Sequence, residues 1–378
     1  MTQLRQPDNT FLTGIPCPDW QSLLRNNVTD ITELCEILQL PVSVASEEAA
    51  AIQPLNVTRD FLSRMEPGNP HDPLLLQILP REDELESAPD FVTDPLDEAS
   101  YIKRRPLASS LHLHSDSTEG ELVVPESIQH LPILQKYPGR TLILASDYCA
   151  AHCRFCFRRH FRKKKAALCP NYSAERKLVH YSTPLWNHHD EISDTREIIL
   201  SGGDPLMLDD AELEGMFHYI KVRHAGNRVR VHTRMPVLLP ERVTPQLVEI
   251  MQDYRLDPAG GAVYVVLHVN HPNELSDKVV RAIALIIDAG IPVLSQTVLL
   301  RRVNDHFETL YDLFEKLANI RVIPYYLHQL DRVQGAAHFE VGTAKGLVLL
   351  SKLSTTLPGY AVPRYVRETP GESKKTLL

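Results

Sequence analysis

The second half of the chain alternates short apolar runs with longer amphipathic segments. Six runs are apolar and rich in β-branched residues: "RTLILAS" (140–146), "EIILSG" (197–202), "RVRVHT" (228–233), "AVYVVLHVN" (262–270), "IPVLSQTVLL" (291–300) and "RVIPYYLHQL" (321–330). Helical patterns separate most of them, namely "DDAELEGMFHYIKVRHA", "TPQLVEIMQDYRL", "DKVVRAIALIIDAG" and "HFETLYDLFEKLANI". Near-continuous hydrophobic strands that alternate with amphipathic helices predict an α/β fold whose parallel sheet is covered on one or both faces.

Six such units are too few for a closed eight-stranded barrel, so the pattern favours a partial (β/α)6 barrel. A flat, doubly wound sheet is the alternative fold.

The first part of the chain has a different character. Residues 1–140 hold 15 of the 28 prolines, and "TDITELCEILQL" and "VTRDFLSRM" predict short helices among irregular turns. We therefore predict a Pro-rich helical extension over 1–99, a loop or disordered insert over 100–122, the barrel over 123–340 and a C-terminal segment over 341–378.

Composition narrows the function classes. The 378 residues are 43% apolar and carry a net charge of −8, which disfavours wholesale nucleic-acid binding. No apolar run reaches the roughly 20 residues of a membrane span, and "MTQLRQPDNTFLTG" does not resemble a signal peptide. We expect a cytoplasmic protein, in which clustered cysteines indicate metal or redox chemistry rather than disulfides.

Residues of chemical interest occur at every predicted strand end except the fifth, where one lies within the strand. They are Cys149, Cys153 and Cys156; Gly202, Gly203 and Asp204; His232 and Arg234; His268, Asn270 and His271; Gln296; and Tyr325, His328 and Asp331. Parallel α/β folds place their active sites at the carboxyl ends of strands, so one shared site is expected there.

The cysteines follow the first strand with the spacing Cys149-x3-Cys153-x2-Cys156. A structural zinc site needs four ligands, and the candidates for the fourth are Cys169, His152 and His160. An iron–sulfur cluster held by three thiolates instead leaves one iron open for another ligand. Both sites remain alternatives at this point.

The cysteine spacing, with Phe155 before the last cysteine, resembles the radical S-adenosylmethionine (SAM) superfamily. That resemblance implies that Cys149, Cys153 and Cys156 hold a [4Fe–4S] cluster whose open iron binds SAM. It also implies that the glycine-rich segment "LSGGDPL" contacts SAM. The residues of this segment assigned to cofactor binding are Gly202, Gly203 and Asp204.

Longer motifs resemble the lysine 2,3-aminomutase family within that superfamily. They are "RMEPGNPHDPLLLQILP", "TDPLDE", "CRFCFRRHF", "SGGDPL", "RMPVLLPERVT", "HVNHPNEL", "SQTVLLRRVND", "PYYLHQLDRVQGAAHF" and "GYAVPRYVRETPGESKKTLL", and they cover most of residues 57–378. The resemblance implies an incomplete radical SAM barrel of six β/α units. It is strongest to the short bacterial members that make (R)-β-lysine for the modification of elongation factor P.

The family binds pyridoxal phosphate (PLP) on a lysine near the C-terminus that is followed by threonine. Lys374 and Lys375 are both candidates, and we choose Lys375 because Thr376 follows it and Glu368 lies seven positions before it, where the family has an acid. Covalent attachment requires a deprotonated amine, so burial should lower the pKa of this lysine.

The resemblance also assigns the substrate site. Arg158 corresponds to the arginine that binds the substrate carboxylate, and Asp331 and Glu368 to the acids that bind the ε-ammonium. Lys136 and Arg140 correspond to basic positions near the PLP phosphate. The weaker assignments are Gln296 to cofactor binding, and His268 and Asn270 to the site in general.

The implied reaction is an isomerisation in which the amino group of L-lysine moves from Cα to Cβ after SAM has supplied a radical. The expected partners are L-lysine, a one-electron reductant such as flavodoxin or ferredoxin, elongation factor P with its lysyl-transferring ligase, and a second copy of the chain as an open option.

Two alternatives to this function stay open. One is a radical SAM enzyme that does not use PLP. The other is a cysteine-cluster module that binds RNA or an acidic protein through the cationic run "RRHFRKKK" (158–165), although such runs are usually a solvated face.

Overall fold

The computed structural model describes residues 19–101, 133–160 and 195–378, and one sheet of nine strands runs through the second and third of these ranges. The strands are β1 (Ile133–Leu134), β2 (Arg140–Ser146), β3 (Glu197–Gly202), β4 (Arg228–Thr233), β5 (Val263–His268), β6 (Val293–Val298), β7 (Ile323–His328), β8 (Arg364–Arg367) and β9 (Thr376–Leu377). Strands β2 to β8 are parallel, while β1 and β9 pair antiparallel at the two edges.

The helices of the described residues fall into an N-terminal group of short helices and a longer group between the strands. They are α1 (Trp20–Arg25), α2 (Ile31–Ile37), α3 (Glu47–Ile52), α4 (Arg59–Leu62), α5 (Glu98–Tyr101), α6 (Asp210–Arg223), α7 (Met235–Leu238), α8 (Pro245–Leu256), α9 (Asp277–Asp288), α10 (Phe307–Asn319) and α11 (Thr343–Thr356). Local sequence sets several of their starts, since Asp209, Thr244 and Ser276 accept hydrogen bonds from first-turn N–H groups of α6, α8 and α9.

The strand order decides between the two predicted folds. Each strand lies beside its neighbours in sequence from β1 through β9. Crossovers between parallel strands are right-handed, so an order without reversal places the connecting helices on one face of the sheet. A doubly wound sheet would reverse its order at a switch point. The partial (β/α)6 barrel is therefore confirmed, and the flat alternative is wrong.

The strands alternate between two environments, although near-continuous hydrophobic strands were expected. In β4, Val229 and Val231 are fully buried in the main hydrophobic core with the helices, whereas Arg230 and His232 face the other side. The same alternation occurs in β6, where Gln296 lies on the less buried face. The helix-covered face thus supplies the core, and the inner face is left for polar groups.

The C-terminal segment adds two strands that the periodicity did not predict. Strand β8 pairs with β7 through Tyr326 and Arg364, and β9 pairs with β8 through Val366 and Leu377. The segment that carries Lys375 is therefore part of the sheet.

The described part of the N-terminal extension, which begins at residue 19, packs against the loops after the strands. The Thr58 hydroxyl donates to the carbonyl of Leu238 at 2.5 Å, and Arg64 donates to the carbonyls of Val237 at 2.6 Å and Glu274 at 2.7 Å. The extension thus covers the carboxyl ends of the strands.

Apart from Ser100 and Tyr101, the predicted insert at 100–122 lies outside the described residues. In the described ranges no helix has the length and apolar character needed to cross a bilayer.

We predict that Gly346→Ala destabilises the protein by about 1–3 kcal/mol, although alanine normally stabilises a helix interior. Gly346 lies within α11, where an added methyl group would overlap the buried ring and hydroxyl of Tyr365. Urea unfolding monitored by circular dichroism measures the change. Gly342→Ala is the matched control, because nothing lies within 4 Å of a methyl group at that position. Equal stability of the two variants would contradict the prediction.

Candidate active site

The three clustered cysteines lie on the loop that follows β2. Cys149, Cys153 and Cys156 are free and partly buried. Burial, followed by the charges of Cys156, Asp204 and Cys153, raises the pKa of Cys149 well above its ordinary value. Burial and Cys153 likewise raise the pKa of Cys156 to about 11. Cys153 is thus close enough to disfavour the ionisation of Cys149 and Cys156, and positive charge placed among the sulfurs would favour it.

The extension fixes the backbone of this loop. The Asn56 amide donates to the carbonyl of Cys149 at 3.0 Å, and the Gln53 amide donates to the carbonyl of Cys153 at 3.3 Å. Since the loop has no sheet partner, these side chains supply the hydrogen bonds that its backbone needs when buried.

A buried ion triplet joins the same two parts of the chain. The Glu84 carboxylate accepts two hydrogen bonds from Arg154, both at 2.7 Å, and one from Arg159 at 2.5 Å. All three side chains are fully buried. Arg159 belongs to the cationic run considered as a binding surface for RNA or an acidic protein, but its side chain is buried and shares the carboxylate with Arg154, so it is not available to such a partner. Residues 161–165 of that run lie outside the described residues.

Arg234, at the end of β4, places a positive charge beside the cluster cysteines. Its guanidinium lies 2.8 Å from the Cys153 sulfur and donates to Gln77 at 2.7 Å and Glu274 at 3.0 Å. Burial acts to lower the pKa of Arg234, but Cys153 and Glu274 outweigh it and hold that pKa above its ordinary value. Arg234 therefore stays charged next to the sulfur.

The two glycines after β3 allow that strand to approach the start of the cysteine loop. Gly202 has φ +125°, and methyl groups on Gly202 and Gly203 would overlap backbone atoms of Ser146 and Tyr148 respectively. The Gly203 N–H donates to the Ser146 carbonyl at 2.5 Å. Glycine is required here by close backbone approach.

Asp204, next in the chain, ties β3 to β4. Its buried carboxylate accepts hydrogen bonds from the Thr233 hydroxyl at 2.8 Å, the Arg234 backbone N–H at 2.7 Å and the Leu206 N–H at 3.0 Å. Burial raises the pKa of Asp204 above its usual range, against the effect of these donors. The contacts give Asp204 a structural role, and its assignment to cofactor binding stays a prediction.

A second group of charges lies where the two edges of the sheet meet. Glu368, just after β8, accepts from Lys136 Nζ at 2.8 Å and Tyr137 Oη at 2.9 Å, both of which follow β1, and it also pairs with Lys375. Burial tends to raise the pKa of Glu368, but Lys375 and Lys136 outweigh it and hold the pKa well below its usual range. Lys375 is 24% exposed at its side chain, whereas Lys374 lies on the surface.

Asp331, which follows β7, belongs to the same group. Burial and then Glu368 raise the pKa of Asp331 to about 7, against the opposing charges of Lys375 and Lys136. The structure therefore brings together the two acids and the lysine that the sequence assigned to substrate and PLP.

Arg158 lies between this charge group and the cysteines. Its guanidinium donates two hydrogen bonds to Glu98, both at 2.7 Å, and further bonds to the Ser201 hydroxyl at 3.0 Å and the Gly202 carbonyl at 2.9 Å. Its pKa, which burial tends to lower, is raised by Glu98, Cys156 and Glu368. Glu98 was not identified from the sequence, where "TDPLDE" gave only a family match.

Histidines line the inner face between these groups. Burial lowers the pKa of His232 and His268 well below its ordinary value and that of His328 to about 3, so all three are neutral at pH 7. Among the described residues, Nε2 of His232 and of His268 and Nε of Arg230 are buried without hydrogen-bond partners. Buried atoms without partners also occur elsewhere in the described residues, so these three show that the inner face has polar groups available to a ligand or to water.

The remaining predicted residues lie around this inner face. Arg140 starts β2, is 48% exposed at its side chain and lies 3.6 Å from Glu197. Gln296 is in register with His268 on β5 and Tyr326 on β7, within the inner face of the sheet. Asn270 bonds to Gln77 at 3.0 Å and accepts from the Val298 N–H at 2.9 Å, which makes it a structural residue.

The residues present fit the two implied cofactors. Three neighbouring thiols are soft ligands suited to iron–sulfur binding. No His, Cys, Asp or Glu group among the described residues converges on a single metal ion. A four-iron cluster does not need such convergence, since each thiolate binds a different iron. For PLP, the amine of Lys375 pairs with Glu368 and lies 5.9 Å from the ring centroid of Tyr326 on β7. Cys169, a fourth candidate ligand, lies outside the described residues.

Comparison with known proteins assigns the class. A family model described as the radical SAM superfamily matches residues 143–314, which begin in β2 and include the cysteine loop. The chain is a radical SAM protein, and the superfamily implies an iron–sulfur cluster and SAM. Among solved structures, SuiB of Streptococcus suis bound to S-adenosylmethionine is 12% identical with a TM-score of 0.40, over 62% of this chain and 51% of that one. At that score the likeness adds nothing to the assignment.

Full-length relatives define the family. The chain is 38% identical to the L-lysine 2,3-aminomutase of Escherichia coli over 95% of this chain and 94% of the relative. It is 34% identical to the Haemophilus influenzae L-lysine 2,3-aminomutase over 95% of both chains. It is 32% identical to that of Clostridium subterminale over 95% of this chain and 77% of the relative. The chain belongs to the lysine 2,3-aminomutase family and is an isomerase of the radical SAM type.

We predict that Glu84→Gln lowers the free energy of unfolding by about 3–5 kcal/mol, because it leaves two buried guanidinium groups without a carboxylate. Chemical denaturation of the two proteins measures the loss. Glu86→Gln is the matched control, since Glu86 is exposed on the same segment. A Glu84→Gln variant as stable as the control would show that the triplet does not hold the loop.

We predict that Asp331→Asn stabilises the cofactor-free protein increasingly from about pH 4 to pH 7. The native carboxyl, with its pKa raised to about 7, binds a proton that the unfolded chain, with a pKa near 3.8, releases. Wild-type stability therefore falls across that window by up to about 1.4 kcal/mol per pH unit and is constant above it. Thermal melts from pH 4.5 to 8 measure the difference, and a pH-independent gap would contradict the raised pKa.

Proposed function

We propose that the protein is a PLP-dependent lysine 2,3-aminomutase that converts L-α-lysine to (R)-β-lysine with a [4Fe–4S] cluster and SAM. The observation that carries the proposal is the position of Arg158. Cys156 and Glu368 both lie close enough to raise the pKa of Arg158. Glu368 in turn forms an ion pair with Lys375. A candidate cluster loop, a candidate carboxylate-binding arginine and a candidate PLP lysine thus belong to one connected site.

Each cofactor supplies a part of the chemistry that side chains lack. When bound, the cluster and SAM supply the radical, and PLP supplies the π-system through which the amino nitrogen migrates. The protein has to bind, orient and shield the substrate, which agrees with the absence of an evident acid–base pair in the sequence.

Substrate lysine carries a carboxylate at one end and an ammonium at the other. In the proposal, Arg158 binds the carboxylate, and Asp331 and Glu368 bind the ε-ammonium. Two fixed ends set the register in which the α- and β-carbons lie beside the cofactors. The residues that hold SAM would include Gly202 and Gly203.

The pairing of Glu368 with Lys375 fits this assignment. Lys375 would hold PLP, and Glu368, which pairs with Lys375 in this structure, would also provide a counter-charge for the ε-ammonium of the substrate. Lys136, which already lies 2.8 Å from Glu368, would face the PLP phosphate together with Arg140.

The wider role rests on the sequence resemblance alone. We propose that the β-lysine made here is used by a lysyl-transferring ligase on elongation factor P, in the cytoplasm. A small one-electron donor of the flavodoxin or ferredoxin type would reduce the cluster, and a homo-oligomer remains an option. The domain boundaries at residues 99, 122 and 340 are part of the same proposal.

We predict that anaerobic protein reconstituted with iron, sulfide and PLP forms β-lysine from L-lysine when a reductant and SAM are added. Lys375→Ala should lose PLP absorbance and lower the rate on the order of a thousandfold, because the cofactor loses its covalent anchor. Lys374→Ala is the matched control and should retain both.

Three outcomes would point to a different function. If Lys375→Ala still makes β-lysine at the wild-type rate, the enzyme does not use PLP on this residue. If 5′-deoxyadenosine accumulates with another substrate and no β-lysine forms from lysine, the substrate is wrong and only the superfamily assignment stands. RNA binding that survives loss of the cysteines would favour a binding module.

A further inference from the structure

Arg158 is already heavily bonded before any substrate is considered. A guanidinium carries five N–H hydrogens. Glu98 accepts from Nε and Nη2 of Arg158, both at 2.7 Å, and the Ser201 hydroxyl and Gly202 carbonyl accept from Nη1 at 3.0 and 2.9 Å. Four hydrogens are thus in use, and one on Nη2 has no partner among the described residues.

We propose that Glu98 is the positioning residue for Arg158 and aims that last N–H at the carboxylate of the amino-acid substrate. The inference rests on the proposed function, because it needs Arg158 to be the carboxylate-binding group. It adds to Asp331 and Glu368 a third acid, on the N-terminal extension, that determines recognition of an α-amino acid without contacting it.

Several contacts fix the position of Glu98. Its side chain is 8% exposed, and the Asp94 carboxylate accepts from its backbone N–H at 3.0 Å and from that of Ala99 at 3.2 Å. Helix α5 is also tied to the C-terminal segment, since the Gly371 N–H donates to the Tyr101 hydroxyl at 3.2 Å. A substrate that displaced Glu98 would leave a buried carboxylate without its cation, which is strongly unfavourable.

This arrangement also explains how two carboxylates can share one cation. Glu98 occupies the Nε–Nη2 edge of Arg158, so an incoming carboxylate approaches from the other side of Nη2 and meets a guanidinium that cannot rotate. A donor held in advance loses little freedom on binding, which favours affinity and orientation. Lys136, whose Nζ lies 2.8 Å from Glu368, offsets part of the negative charge of these acids.

Equilibrium dialysis with labelled L-lysine and labelled 1,5-diaminopentane tests the inference on PLP- and cluster-loaded protein without SAM, so that nothing turns over. The diamine has both ammonium ends but no carboxylate. Glu98→Gln should weaken L-lysine binding on the order of tenfold and leave diamine binding unchanged. Ser201→Ala should show a smaller loss with the same selectivity.

Asp97→Asn is the matched control. It removes the same charge one residue away, at an exposed position, and should leave the binding of both ligands unchanged. Circular dichroism confirms that each variant is folded.

The outcomes separate the explanations. Tighter L-lysine binding by Glu98→Gln would overturn the inference, because Glu98 would then be a competitor for Arg158. Equal weakening of both ligands would also overturn it, because the effect would be general loss of structure. Wild-type protein that binds diamine but not L-lysine, or neither ligand, would overturn the proposed function and the inference with it.

Discussion

The cysteine loop has no sheet partner, and the rest of the site depends on how its backbone is held. Glu84 forms ion pairs with Arg154 and Arg159 in a fully buried triplet. The side-chain amides of Gln53 and Asn56, in the extension, donate hydrogen bonds to backbone carbonyls of the loop. Removing one partner of such a buried network leaves an uncompensated charge, so the network allows one arrangement of the loop. The described part of the extension is therefore joined structurally to the cysteine loop, although it was predicted only as a Pro-rich helical segment.

Local pattern accounts for the repeated part of the fold. The strands over 140–146, 197–202 and 228–233 have the predicted bounds, and the last three are shorter by one or two residues at their ends. The two-residue and helical periodicities show which side of each segment is buried. That information is sufficient to predict the succession of strands and helices. The same patterns could not find β8 or β9, because short strands in a Pro- and Gly-containing segment are stabilised by pairing with distant partners.

The residues of the candidate site likewise fall into those that local sequence identifies and those that it does not. Motif resemblance found the cysteines, Arg158, Asp331, Glu368 and Lys375, because each follows a strand or lies in a distinctive segment. It did not find Glu84 or Glu98, which act through contacts with residues 60 to 75 positions away along the chain. An acid in a Pro-rich stretch carries no local sign of the arginine that it will meet. Networks of this kind become visible only in the folded structure.

The hydrogen bonds from Gln53 and Asn56 reach the cysteine loop from 93 to 100 residues earlier in the chain. The conformation of the loop therefore depends on the extension having packed against it. A fragment that begins after the extension would contain all three cysteines but lack the contacts that orient them.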